Sequence, residues 1–422
     1  MTRELVAYSS FALTVTLAIG RPHVGKHWQV GPAFASLLGV FCLFSASIVL
    51  PDDIRAAAMI LWRPFITILS IMITTAAAQR LGVLDCLAKR LFTRPDLLVA
   101  QLFLRVFVLS VATAALLNND AAVLLLTPLV LALVRHRYPR QPRLLPPFAF
   151  GVFMAAGVAP FVVSNPMNMI VASYAGLNFN TYAASMIPIA IAGWVLAFVL
   201  LRWLFAAEFA TGHGSPAMPI HQAVSLNGRQ RLMIGVLVLV LGSYPIVASI
   251  DGSAIWIVSV VGAMLAMGVV CWGGHTGPAD LLAKGVAWNI LVFLPAVFIL
   301  SLGLRNVGLV GHLRSMHEGA GFGVIGVTSA LGSALLNNHP MAMLNMLALG
   351  GLPDVGHREY LAALIGGDLG PRLLPMGSLA GLLWLESCRG LGVEISLRQF
   401  VRVGLLMTIP TLAVSLLMLG FI

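Results

Sequence analysis

The sequence predicts an all-α polytopic membrane protein, with about ten transmembrane helices plus two re-entrant helical hairpins in two inverted repeats, and two discontinuous helices. Three observations lead there. Of 422 residues, 59% are hydrophobic and 9% charged, and the mean hydropathy is +0.96, where a soluble chain carries roughly a quarter charged residues. Apolar runs of about 20 residues, the length that crosses a bilayer as helix, recur from end to end. Four further apolar stretches are interrupted in their middles by polar residues, and those interruptions come in pairs.

Uninterrupted spans are expected at about 5–20, 29–50, 57–80, 182–206, 232–249, 253–272, 286–306 and 399–421. Residues 97–134 are broken by Asn118-Asn119-Asp120, and 319–350 by Asn337-Asn338-His339-Pro340. Residues 147–177 are broken around Pro160 to Asn168, and 358–386 around Asp368 to Ser378. Irregular backbone at membrane depth survives only where protein or a water-filled cavity satisfies its polar groups, so each break asks for a functional reason. Ala115-Leu116-Leu117-Asn118-Asn119 recurs letter for letter as Ala334-Leu335-Leu336-Asn337-Asn338. Downstream, Ser164-Asn165-Pro166-Met167-Asn168 has a looser partner in Leu374-Pro375-Met376-Gly377-Ser378; upstream, Leu81-Gly82-Val83-Leu84 resembles Val307-Gly308-Leu309-Val310. Matches in one order at similar spacing mark an internal repeat. The division expected is N-terminal scaffold helices over 1–50, a first repeat over 51–206, a cytoplasmic linker over 207–231 and a second repeat over 232–422.

Basic residues set the orientation. If the two asparagine-tipped segments return to their own side, one face carries roughly seventeen Lys and Arg, including Lys26, Arg94 and the run Arg135, Arg137, Arg140 and Arg143, against six on the other. By the positive-inside rule the richer face is cytoplasmic and both termini are periplasmic. The first hairpin then enters from the cytoplasm and the second from the periplasm. Inverted repeats with paired broken helices point to a transport site near the midplane, reached by alternating access. The N-terminal run has no small-residue cleavage site behind it and reads as a retained span. Cys42, Cys86, Cys271 and Cys388 are scattered, suggesting neither a disulfide frame nor a zinc site. No metal or other cofactor is expected, and the net charge of +10 lies in loops, so it says little about nucleic acid.

The candidate site follows from the breaks. Asn118, Asn119, Asn337 and Asn338 are expected at the hairpin tips; a membrane Asn is often mere glue between helices, but a doublet duplicated in both halves reads as a site. Amides donate and accept, which suits a neutral, hydroxyl-bearing solute. Ser164, Asn165, Asn168, Gly377 and Ser378 lie at the breaks of the discontinuous helices, where freed amides and half-helix ends can face the same solute. Asp120 and Asp368 are acids beside interruptions, and an intramembrane acid suggests proton coupling, although Asp also serves as a helix N-cap. Arg372, four residues beyond Asp368, is either part of the site or a structural bridge to that carboxyl. His339 is a titratable neighbour of the second tip or simply a hydrogen-bonded one. The run Met341, Met343 and Met346 reads as packing.

Leu117-Asn118-Asn119-Asp120-Ala121-Ala122-Val123-Leu124-Leu125-Leu126-Thr127-Pro128 resembles the first hairpin of the arsenite/antimonite efflux permeases (ArsB-type) of the ion transporter superfamily. Phe161 to Ile170 is similar to their first broken helix. Gly366-Gly367-Asp368-Leu369-Gly370-Pro371-Arg372-Leu373-Leu374-Pro375-Met376-Gly377-Ser378-Leu379-Ala380 is similar to their most distinctive segment. The resemblance implies extrusion of trivalent arsenic and antimony from the cytoplasm across the bacterial inner membrane in exchange for protons. It also implies an optional cytoplasmic ATPase partner, and a transport domain of hairpins and broken helices set against a scaffold. The departure is His339 between Asn338 and Pro340, where the family pattern has an apolar residue. Other readings are a sodium/proton, silicic acid or dicarboxylate carrier of the same superfamily and, in another class, an intramembrane aspartyl protease using Asp120 and Asp368. The last would leave the asparagine doublets unexplained.

Overall fold

Prolines and short polar side chains decide where the helices begin, because the first turn of a helix has free amides and tolerates proline. The computed structural model describes residues 3–24, 28–93, 98–210, 225–272 and 277–422. It opens with α1 (Arg3–Gly20) and α2 (Pro32–Ser45), joined by a two-residue antiparallel ladder of β1 (His23–Val24) and β2 (Trp28–Gln29). Next come α3 (Pro51–Arg80), α4 (Val83–Phe92), the hairpin arms α5 (Val99–Leu116) and α6 (Asn119–Arg137), the half-helices α7 (Leu145–Ala155) and α8 (Pro166–Tyr174), and α9 (Phe179–Leu204). The five-residue α10 (Ala206–Ala210) is followed, beyond residues 211–224, by α11 (Gly228–Ile250), α12 (Ile255–Cys271) and the short α13 (Pro278–Gly285). Then α14 (Trp288–Asn306), α15 (Leu309–His317), the arms α16 (Phe322–Leu336) and α17 (Asn338–Leu349), the half-helices α18 (His357–Leu369) and α19 (Leu379–Gly390), and α20 (Leu397–Phe421) repeat the earlier order. The protein is all-α apart from the small ladder, and among the described residues seven helices are long and apolar enough to cross a membrane.

Each of the eight uninterrupted spans read from sequence is present as a helix. The segment 29–50 is the most altered: α2 covers 14 residues and the chain then bends through Ser47, whose φ is +54°. Pro51 then holds Leu50 in extended backbone and starts α3 one residue later. The first break is shifted toward the N-terminus and the second is narrower than expected. The first spans 156–165, leaving Asn168 inside α8, and Asp368 sits in the last turn of α18 rather than beyond it. Of the linker expected at 207–231, residues 211–224 lie outside the described residues, as do Lys26 and Arg94, and Gly228 already opens α11.

The two halves interlock. α1 and α2 pack on each other and on α14; α11 and α12 pair likewise and α12 lies along α3. α9 and α20, the last helices of the two halves, pack together. The second arm of each hairpin crosses to the other half, α6 lying on α19 and α17 on α8. Aromatic side chains fill one of the two cores: Phe103 meets Phe148 edge to face with centroids 5.4 Å apart, and Phe153 stacks on the fully buried Trp384 at 4.6 Å.

Two turns repeat as the sequence suggested. Gly82 and Gly308, with φ of +65° and +91°, each turn a long helix into a short amphipathic one that leads to a hairpin. A side chain at such a φ costs about 1–2 kcal/mol whatever space it has. Nothing lies within 4 Å of a Cβ built at Gly308 or at Gly311 in the helix after it. Gly308→Ala is therefore expected to lower thermal stability in detergent, whereas Gly311→Ala, an ordinary helix position, should be neutral or stabilising by about 1 kcal/mol. Equal effects of the two would contradict the left-handed turn.

Candidate functional site

At each of the four interruptions the chain must restart a helix inside the protein, and four fresh N-termini expose amides that need acceptors. In every case a short polar side chain supplies one. Asn118 Oδ1 accepts from Ala121 N at 2.6 Å at the start of α6, and Asn165 Oδ1 from Met167 N at 3.1 Å at the start of α8. Asn337 Oδ1 accepts from His339 N at 3.4 Å before α17, and Ser378 Oγ from Gly381 N at 2.9 Å before α19. Asn337 adopts φ of +80° with ψ of 146°, a backbone region normally left to glycine, so the second tip is strained where the first is extended.

The four N-termini converge on one small cavity of about 40 Å³, room for about three water molecules. Its polar lining consists of Asn119, Asp120, Asn165, Asn338, Asp368, Arg372 and Ser378, with Val123, Phe153, Ala156, Pro371 and Ala380 as apolar walls. The positive ends of four helix dipoles favour negative charge and electron-rich oxygens there, which suits the two carboxylates present. Among the described residues a larger cavity of about 350 Å³ opens between α3, α8 and the α11–α12 turn, with Arg63 its one charged group. The smaller cavity is the candidate site, because there the duplicated motifs of both halves meet.

Asp368 is the most connected group in it. Its Oδ1 accepts from Asn165 Nδ2 at 2.7 Å, and its Oδ2 from Asn168 Nδ2 and the backbone amide of Ala159, each at 3.1 Å. Tyr182 of α9 completes the cluster, its hydroxyl accepting from Asn168 Nδ2 at 2.6 Å and donating to Ala159 O at 3.1 Å. Asn119 Nδ2 donates to Gly157 O at 3.1 Å, in the break of the first half. Arg372 donates from Nη2 to Met154 O at 2.7 Å, and no ion pair within 4 Å joins it to Asp368 among the described residues. The bridge weighed for that pair is thus replaced by a contact to backbone. Among the described residues the Asp120 side chain lines the cavity without a hydrogen bond, and Asn338 Oδ1 is buried without a partner.

Thus seven of the residues singled out in sequence share the cavity, and six lie outside its walls. Asn118 and Asn337 spend their side chains on capping. Ser164 turns away to donate to Ala115 O at 2.7 Å, and Asn168 stands behind Asp368. Gly377 lets the chain approach the second hairpin: a Cβ there would stand 2.6 Å from Pro371 Cα and 3.2 Å from Ala334 Cα. His339 is buried against Phe293, ring centroids 5.9 Å apart, with Nδ1 3.3 Å from Asn337 Oδ1 and Nε2 unpartnered. Sequence reasoning missed Tyr182, although a phenol inside an apolar span needs a polar partner and could have been flagged on that ground.

A helical membrane protein whose two hairpin tips and two broken helices converge on one polar cavity is built as a transporter. The comparisons agree. A model of the arsenical pump membrane protein family (ArsB) matches residues 6–422, and the chain belongs to that family. It is 29% identical to the arsenical pump membrane protein of Escherichia coli (strain K12), over 98% of this chain and 97% of the relative. It is 26% identical to the putative arsenical pump membrane protein of Bacillus subtilis (strain 168), over 98% of each. The 46 kDa membrane protein of Mycobacterium leprae (strain TN) is 26% identical, over 92% of this chain and 93% of the other. The chain is therefore a multi-pass membrane transporter and not an enzyme, which removes the protease reading.

The capping role is open to test. Asn118→Ala should cost about 1 kcal/mol of stability, and Asn118→Ser should recover most of it, because serine caps a helix nearly as well. Thermal unfolding of the purified variants reads this directly; equal losses in both would mean that Asn118 serves something other than the cap.

Proposed function

We propose that this transporter extrudes trivalent arsenic and antimony, as neutral hydroxylated acids, from the cytoplasm across the inner membrane in exchange for protons, by alternating access. The observation that carries this reading is the cavity where Asn119, Asp120, Asn165, Asn338, Asp368, Arg372 and Ser378 meet. Amides and a hydroxyl offer both donors and acceptors to a solute that is itself a ring of hydroxyl groups. An oxyanion such as arsenate would call for several guanidinium groups, and Arg372 stands alone. None of the four cysteines lines the cavity, so tight thiolate capture plays no part and release stays easy.

The two halves supply the alternating access. The arms α16 and α17, of 15 and 12 residues, rise about 22 and 18 Å, short of the roughly 30 Å hydrocarbon core. The second hairpin is therefore re-entrant. The arms of the first, 18 and 19 residues, are long enough to cross. Their tip nevertheless shares the cavity with the second tip, which fits two hairpins entering from opposite faces of inverted repeats and meeting midway. On this reading α1–α2 and α11–α12, with α3 and α14, form the scaffold, both termini face the periplasm, and the hairpins and broken helices move as the transport domain. Asp120 and Asp368 are the two acids in the cavity from which the proton coupling can be drawn. Exchange of a neutral solute for one proton gains about 2.3 kcal/mol per 100 mV, enough for a gradient of roughly fiftyfold. A cytoplasmic ATPase is then an accessory, with the basic loops as its landing surface.

The test uses everted vesicles containing the chain and radiolabelled arsenite. Imposing an inward-acid proton gradient should drive accumulation, a protonophore should collapse it, and Asp120→Asn should abolish the driven component while Asp368→Asn should reduce it. Sodium-driven uptake, or movement of a dicarboxylate or silicic acid without arsenite, would sink the substrate assignment and leave the architecture standing.

A further inference from the structure

Two carboxyls share the cavity, and their surroundings are opposite in kind. The three donors around Asp368 all come from the first half: the side chains of Asn165 and Asn168 and the amide of Ala159. Among the described residues it donates to no acceptor. Asn165 Oδ1 is committed to Met167 N, Asn168 Oδ1 has no hydrogen-bond partner, and the Tyr182 hydroxyl gives its proton to Ala159 O. A shell of donors alone rewards the ionised carboxylate and has no use for a carboxylic acid proton. The bond set also ties the end of α18, in the second half, to the break of the first. Asp120, second residue of α6, lines the same cavity, and its side chain makes no hydrogen bond among the described residues. Its oxygens are left for water or cargo.

We propose that Asp120 carries the exchanged proton, and that Asp368 stays ionised throughout the cycle as a pin between the two broken helices, with Asn165, Asn168 and Tyr182 as its positioning residues. The division rests on the proton-exchange reading given above. Ionised Asp120 accepts a hydrogen bond from a hydroxyl of the bound acid. When the cavity opens to the acidic side, a proton from water binds an Asp120 oxygen, that hydrogen bond breaks and the neutral acid leaves. The protonated empty form returns and gives its proton to cytoplasmic water. One positive charge moves inward per neutral solute moved out, so the step balances.

The charged groups that share the cavity with Asp120 are Asp368 and Arg372. Of the helices against α6, α7 carries no charged residue. α5 brings Arg105 and α19 brings Glu386 and Arg389, about two or more turns from the cavity end of each helix. α4 brings Asp85, Lys89 and Arg90 near the far end of α6, where Arg137 donates to Phe92 O. None of these more distant groups stands beside the Asp120 oxygens.

The test compares wild type, Asp120→Asn, Asp368→Asn and Tyr182→Phe in proteoliposomes, following proton-driven arsenite accumulation and downhill arsenite exchange from acid to alkaline pH. Asp120→Asn should lose accumulation and the pH dependence of exchange together, with residual downhill flux flat across pH. Asp368→Asn should cut flux about tenfold or more and lower thermal stability, while what flux remains keeps the wild-type pH profile. Tyr182→Phe, which loosens the pin and leaves both carboxyls, should keep that profile at reduced rate, so the outcome holds even if Asp368→Asn fails to fold. Accumulation retained in Asp120→Asn, or a flat profile in Asp368→Asn or Tyr182→Phe, would overturn the division. A wild type that moves arsenite with no response to protons would instead remove the exchange reading itself.

Discussion

The interruption of a helix inside a membrane protein leaves backbone amides and carbonyls with no water to turn to, and this chain accepts that burden four times. The four caps, Asn118, Asn165, Asn337 and Ser378, satisfy an amide at each restart. They also aim each new helix N-terminus at a common point. The cavity, its two carboxylates and its amide lining all depend on that convergence. Without the caps the breaks would be unsatisfied ends rather than walls of a site.

Crossed packing also holds the two halves together, since each hairpin leans on the broken helix of the opposite half. The Asp368 cluster does it again on a smaller scale, with one carboxylate joined to three donors from the other half. Buried polar clusters of this sort hold one geometry well when every member is satisfied. Here the cluster is nearly so: among the described residues Asn168 Oδ1 is the one side-chain oxygen of the cluster without a partner, while Asn338 Oδ1 and the Asp120 carboxylate are left unpartnered elsewhere around the cavity. The halves are not identical in strain: the positive φ of Asn337 and the buried His339 beside it belong to the second tip alone.

Much of this was legible in the chain itself. Apolar runs set the number of uninterrupted helices, because hydrocarbon thickness leaves little choice, whereas the starts at Pro32 and Pro51 went unread although proline suits the first turn of a helix. The asparagine doublets announced both hairpin tips, and the paired Gly82 and Gly308 announced the turns before them. Less legible was how each doublet divides. Asn118 and Asn337 cap while Asn119 and Asn338 face the cavity, since neighbours at a helix start point roughly a quarter turn apart and only the incoming helix decides which direction is inward.

What the sequence by itself determined is the list of membrane helices, the positions of the four breaks and the polar residues that mark them, all consequences of local backbone chemistry in an apolar solvent. The tertiary structure alone decided which marked residues meet. Ser164 and Asn168 carry the same kind of polar groups as Asn165, yet one turns to Ala115 O and the other stands behind Asp368. Tyr182, some 186 residues from Asp368 along the chain, enters the cluster only because α9 folds back over the first break. Such contacts join residues far apart in sequence, and no local pattern records them.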